Sequence, residues 1–142
     1  MLKIFIDELS FERSTSELTG PVWAQFDGIS FPEKNWDDFV VIVLLWWCQS
    51  IFDYEDHDKT ILWTFMDGPF DINFIEHKDS FEAVARHCDQ IVATANTTLD
   101  EMRNLLIDAI DNTNKNKMLY ESENKMLISA RKRLASSSGP AN

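Results

Sequence analysis

The sequence predicts an α+β domain, an antiparallel sheet of about five to six strands packed on a central apolar helix. Three observations carry this. The run from Phe39 to Ile51 is the most apolar stretch and has helical length. Several shorter segments alternate apolar and polar residues and are separated by turn residues. The last third returns to helical spacing, giving one or two C-terminal helices.

The central helix is expected over about residues 36–49. Pro32 closes the preceding strand, Asn35 stands where an N-cap belongs, and Asp37 and Asp38 follow in the favourable first turn. Phe39, Val40, Val43, Leu44 and Trp47 share one stripe, and Val41, Ile42, Leu45 and Trp46 fill most of the remaining surface. A helix apolar nearly all round is buried on more than one side. Trp46 and Trp47 are therefore assigned to the core.

The first strand is read at residues 2–9, where Leu2, Ile4 and Ile6 alternate with Lys3, Phe5 and Asp7. Residues 10–20 have loop chemistry. Val22, Ala24 and Phe26 define a second strand, which pairs with the first as a hairpin, and Gly28 marks a bulge or bend. Beyond the helix, residues 52–58 read as an acidic loop. Two strands follow, Thr60 to Met66 and Phe70 to Ile75, joined by the turn Asp67-Gly68-Pro69. The first is apolar on both faces, which suits a central strand.

Residues 80–97 fit a helix or a hairpin. Thr98-Leu-Asp-Glu101 is a capping-box pattern, and a helix starting there cannot already be running at Ala95. A hairpin of strands near 81–87 and 91–96 follows. Met102, Leu105, Leu106, Ala109 and Ile110 form the stripe of the next helix. A last helix spans Ser122 to about Ala135 with Leu127, Ala130 and Leu134 on its apolar side. Arg131-Lys132-Arg133 complements the negative end of its dipole. The chain thus reads as a single domain over residues 1–135 and a flexible tail over 136–142.

Composition narrows the function classes. The 142 residues carry a formal net charge of −11. Residues 1–112 hold 7 Lys+Arg against 22 Asp+Glu, a balance of −15, and residues 113–142 hold 6 against 2. An acidic body repels phosphate backbones, so no nucleic-acid partner is expected. It attracts basic proteins and speeds their encounter. The longest apolar run is shorter than the roughly 20 residues of a membrane helix, so no membrane association is expected. The N-terminus turns to charge too early for a signal peptide, and Cys48 and Cys88 do not suggest a disulfide scaffold. These features point to a cytoplasmic protein.

No catalytic constellation emerges. His57, His77 and His87 are not spaced as helical zinc ligands, and no Gly-rich phosphate loop or Gly-x-Ser-x-Gly elbow is present. Asp53, Glu55, Asp56 and Asp58 have oxygen donors but lack the glycine and the spaced glutamate of a calcium loop. No cofactor and no metal is expected. The same four carboxylates are the candidate contact patch for a basic protein partner.

Two short motifs add a resemblance. Phe31-Pro32-x-x-x-Trp36-x-Asp38-Phe39, and later Met66-Asp67-Gly68-Pro69-Phe70, resemble a pattern in small uncharacterised bacterial proteins. Some of these are associated with toxin–immunity systems, where an acidic partner neutralises a basic toxin. The resemblance spans roughly residues 20–75 and implies a binding role without assigning functional residues. The leading expectation is a non-enzymatic acidic binding protein, an immunity-type inhibitor of a basic toxin or nuclease. The alternative is a small-ligand-binding or enzymatic domain with a pocket between the Trp-rich helix and the sheet. A third reading is a homo-oligomer, a homodimer for instance, built on an exposed aromatic such as Trp23.

Overall fold

Alternation at the N-terminus does become a hairpin. In the computed structural model, which describes residues 1–137, β1 (Leu2–Ile6) pairs antiparallel with β3 (Leu18–Phe26), setting Leu2 opposite Phe26 and Ile6 opposite Val22. Strand β3 starts four residues earlier than expected and is the spine of the first sheet. It also pairs with β2 (Glu12–Arg13), β4 (Ile29–Phe31) and β5 (Asp37–Phe39). Asp27 (φ 49°) and Gly28 (φ 93°) form a two-residue turn into β4, so the expected bend is a second hairpin.

Gly20 is required by a neighbour. A Cβ there would sit 2.2 Å from Cδ1 of buried Phe11. We expect Gly20→Ala to displace that ring and lower stability by about 1–3 kcal/mol in urea titration.

Sequence reasoning misplaced the start of the central helix. Helix α1 spans Val40–His57, and Asn35 is in a left-handed turn (φ 62°) rather than at an N-cap. The Asp38 carboxylate is buried and committed to tertiary contacts. It accepts hydrogen bonds from Trp36 Nε1 at 3.1 Å and from the backbone amides of Phe39 at 2.7 Å and Asp67 at 3.3 Å. Residues 37–39 are thereby held in β5, and α1 begins without a side-chain cap.

Asp37, beside it, has its pKa raised by partial burial and then by the charges of Glu12, Asp38 and Asp67. A carboxyl raised in the fold favours the protonated form. Its contribution to stability is present below the unfolded pKa of about 3.9 and is lost as pH rises through the native value. Asp37→Asn should therefore raise the melting temperature at pH 7, with the gain vanishing near pH 3. A variant less stable than the parent at pH 7 would contradict this.

The buried stripe of α1 includes Val40, Val43, Leu44, Trp47, Cys48 and Ile51. Trp47 is fully buried, stacks on Trp63 (centroids 5.1 Å apart, planes at 9°) and donates from Nε1 to the Thr64 carbonyl at 2.8 Å. Trp46 is 45% exposed, so only one member of the tryptophan pair belongs to the core. The buried arc of α1 is already taken by the adjacent pairs Val43 and Leu44, Trp47 and Cys48, and Ile51 and Phe52, and Trp46, about 100° before Trp47 around the axis, falls outside it.

The second sheet is separate. Its order is β6 (Ile61–Thr64), β7 (Phe70–Glu76), β8 (Phe81–His87) and β9 (Gln90–Thr97), each antiparallel to the next. The single sheet expected from sequence is thus two, of five and four strands. Strand β6 is at the edge of its sheet, not the centre. Its double-faced apolarity has a different origin: Ile61 and Trp63 are buried inward, while Leu62 is 36% exposed. The 81–97 segment is the expected hairpin, turning at Cys88 (φ 51°) and Asp89 (φ 66°).

Helix α2 (Leu99–Thr113) starts where the capping box places it, with Thr98 Oγ1 accepting from the Glu101 amide at 3.2 Å. Helix α3 (Glu121–Ser137) packs on α1 and α2 through the fully buried Leu127 and Leu134. Because α3 continues to Ser137, the basic run is not at its terminus. Arg131 instead grips both oxygens of Asp111 (2.6 and 3.0 Å), and Arg133 pairs with Asp56 at 2.7 Å. Of the expected tail, Ser136 and Ser137 belong to this helix and residues 138–142 lie outside the described residues.

Candidate functional site

The acidic stretch at residues 52–58 is not a loop. Buried Ile51 and Phe52 and half-buried Tyr54 keep it helical to His57. Asp58 then takes the left-handed conformation (φ 53°), with its amide bonded to the Tyr54 carbonyl at 2.9 Å. Asp is among the few non-glycine residues that tolerate this geometry.

The helix turns the four candidate carboxylates toward different surroundings. Glu55 makes a largely buried ion pair with Arg103, which also holds Asp100 at 2.9 Å. Asp56 is engaged by Arg133, whose guanidinium also lies over the Phe52 ring, 4.1 Å from its centroid. Asp53 accepts a hydrogen bond from Gln49 at 2.9 Å. Asp58 faces a cleft.

That cleft, of about 410 Å³, lies between the C-terminal end of α1 and the second sheet. Buried Ile61, Phe74 and Phe81 contribute to its lining, and Tyr54 meets Phe81 edge-on with centroids 5.6 Å apart. The Tyr54 hydroxyl donates to Glu76 Oε2 at 2.8 Å. Asp58 and Glu76 supply negative charge, and Lys59, Thr60 and Asn73 complete the polar wall. Tyr54 registers this field. Burial, then the hydrogen bond to Glu76, then the charges of Glu76, Asp58 and Glu55 push its pKa up to about 12. A phenol held neutral in this way is a hydrogen-bond donor, and the surroundings disfavour added negative charge.

Sequence reasoning missed Tyr54, Glu76 and Phe81. Glu76 and Phe81 sit opposite each other in the β7–β8 pairing, so the strand pattern brought them within reach of recognition. Tyr54 carries no such signal, because the acidic composition around it has the chemistry of a loop. The pocket expected between the Trp-rich helix and the sheet has a counterpart here, but beyond the tryptophans; beneath α1, Trp47 and Trp63 fill the interface. Trp23 is 8% exposed and stacks on Phe5 at 5.3 Å, so it provides no exposed aromatic strip.

Cys48 and Cys88 are both free thiols. Among the described residues, no group of three or more His, Cys, Asp or Glu side chains is placed to hold a metal ion, and no helix is long and apolar enough to cross a membrane.

The fold and cleft define an α+β domain with an acidic recess at one helix end. No protein-family model matches the sequence, and comparisons with curated proteins and with solved structures find no match.

Proposed function

We propose that this protein is a non-enzymatic acidic binding protein that engages a basic protein, in the manner of an immunity-type inhibitor of a basic toxin or nuclease. One observation carries the reading. All five arginines are spent on internal ion pairs: Arg13 with Glu123, Arg86 with Asp71, Arg103 with Glu55 and Asp100, Arg131 with Asp111, and Arg133 with Asp56. The acidic excess that remains is on carboxylates that make no ion pair among the described residues, Asp58 and Glu76 at the cleft among them. Such a field speeds the approach of a basic protein and makes its binding sensitive to salt.

The test is affinity capture from the native host with the full chain as bait, followed by purification of the captured protein. The expected partner is basic, loses its activity on stoichiometric binding, and binds more weakly as salt is raised. A neutral or acidic partner, or one whose activity is unchanged in the complex, would overturn the reading.

The cleft volume favours a second reading, a small-ligand site, because it falls within the size range of ligand pockets. A metabolite that raises the melting temperature in proportion to its occupancy would support it. A flat response across a metabolite and metal screen would count against it.

A further inference from the structure

We propose that the cleft at the end of α1 receives an alkylammonium or guanidinium group on an apolar stem, presented by a lysine or arginine side chain of a protein partner. The inference rests on the protein-binding reading above and assigns it a recognition pocket.

The walls suit such a group in two layers. Half-buried Tyr54 offers aromatic surface to the stem, and the buried Phe74 and Phe81 close the apolar floor beneath it. Asp58 and Glu76 stand among them, and neither makes an ion pair within the described residues. Glu76 uses one oxygen for the Tyr54 hydroxyl and keeps the other. An anionic ligand would meet both carboxylates. A wholly apolar ligand would strip their water and return nothing. The volume of about 410 Å³ exceeds what a bare ammonium ion fills, and leaves room for a stem and its adjoining backbone. Among the described residues Lys59 is the one cationic side chain in the lining, so it competes with an incoming cation.

The test follows amide NMR shifts of the isotope-labelled full chain during titration with N-acetyl-glycyl-lysyl-glycinamide. The controls are the norleucine analogue and n-butylammonium. We expect the lysine peptide to shift Thr60, Asn73 and Glu76, and the norleucine analogue to bind about tenfold more weakly. Asp58→Asn with Glu76→Gln should weaken the lysine peptide by about tenfold, and Lys59→Gln should strengthen it by about twofold. Asn is accepted at the left-handed position of Asp58, Glu76 is exposed, and the same spectra report whether each variant is folded. Equal binding of the norleucine analogue, or an unchanged affinity in the folded double variant, would overturn the proposal. Binding of n-butylammonium as tightly as the peptide would overturn its assignment to a protein-borne side chain.

The two ideas fail separately. A captured basic partner held equally well by the double variant removes the cleft and leaves the binding role standing. A cleft that selects the lysine peptide while the captured partner is not basic removes that role and leaves the pocket.

Discussion

Replacing Arg103 with Met is expected to destabilise the protein by about 3–5 kcal/mol. Arg103 is 6% exposed and its main partner, Glu55, is mostly buried. The substitution fits the long aliphatic stem but leaves a carboxylate in a poorly solvated position without its counter-charge. Glu55 Oε1 already has no hydrogen-bond partner among the described residues, so the loss is not easily redistributed. The double variant Arg103→Met, Glu55→Leu removes both charges and should recover most of the stability, because a buried pair is often replaced by apolar residues at little net cost. Urea unfolding of the two single variants and the double variant gives the coupling energy directly. A single variant within 1 kcal/mol of the parent would show that Glu55 finds water or another partner, and that this end of α1 is looser than described.

Trp47→Ala should cost about as much, roughly 3–5 kcal/mol, for a different reason. The indole is fully buried, stacked on Trp63, edge-on to Phe65 at 5.3 Å, and hydrogen-bonded to the Thr64 carbonyl. It joins α1 to the edge strand β6. Its removal leaves a cavity at the seam between helix and sheet and frees a carbonyl that the strand's own pairing does not use. Trp46→Ala is the internal control. Trp46 is 45% exposed, and the loss should be within about 0.5–1 kcal/mol. Similar losses at both positions would mean that α1 is rotated relative to the packing described.

These two tryptophans also show what the sequence could disclose. A run apolar on all sides announces a core helix but does not say which face is covered, since covering depends on neighbours distant in the chain. The α1 start was obscured for a related reason. Asp37 and Asp38 look like first-turn acids, yet Asp38 accepts from Trp36 and from the amide of Asp67, which a local pattern cannot reveal. By contrast, the 81–97 hairpin was legible, because Thr98 and Glu101 form a cap whose geometry is local to four residues and limits what can precede it. The acidic segment was legible as a charged feature but not as a surface. Its helical continuation sends Glu55 to Arg103 and Asp56 to Arg133, and leaves Asp58 lining the same cleft as Glu76 of β7.

Docking of a basic partner on the acidic recess at the end of α1 is tested by hydrogen exchange of the full chain, alone and saturated with its captured partner. New protection is expected at residues 58–61 and 73–76, reduced by Asp58→Asn and Glu76→Gln at equal partner concentration. Protection confined to the α3 side of α1, around Leu45 and Met126, with residues 58–61 and 73–76 unchanged, would overturn this docking.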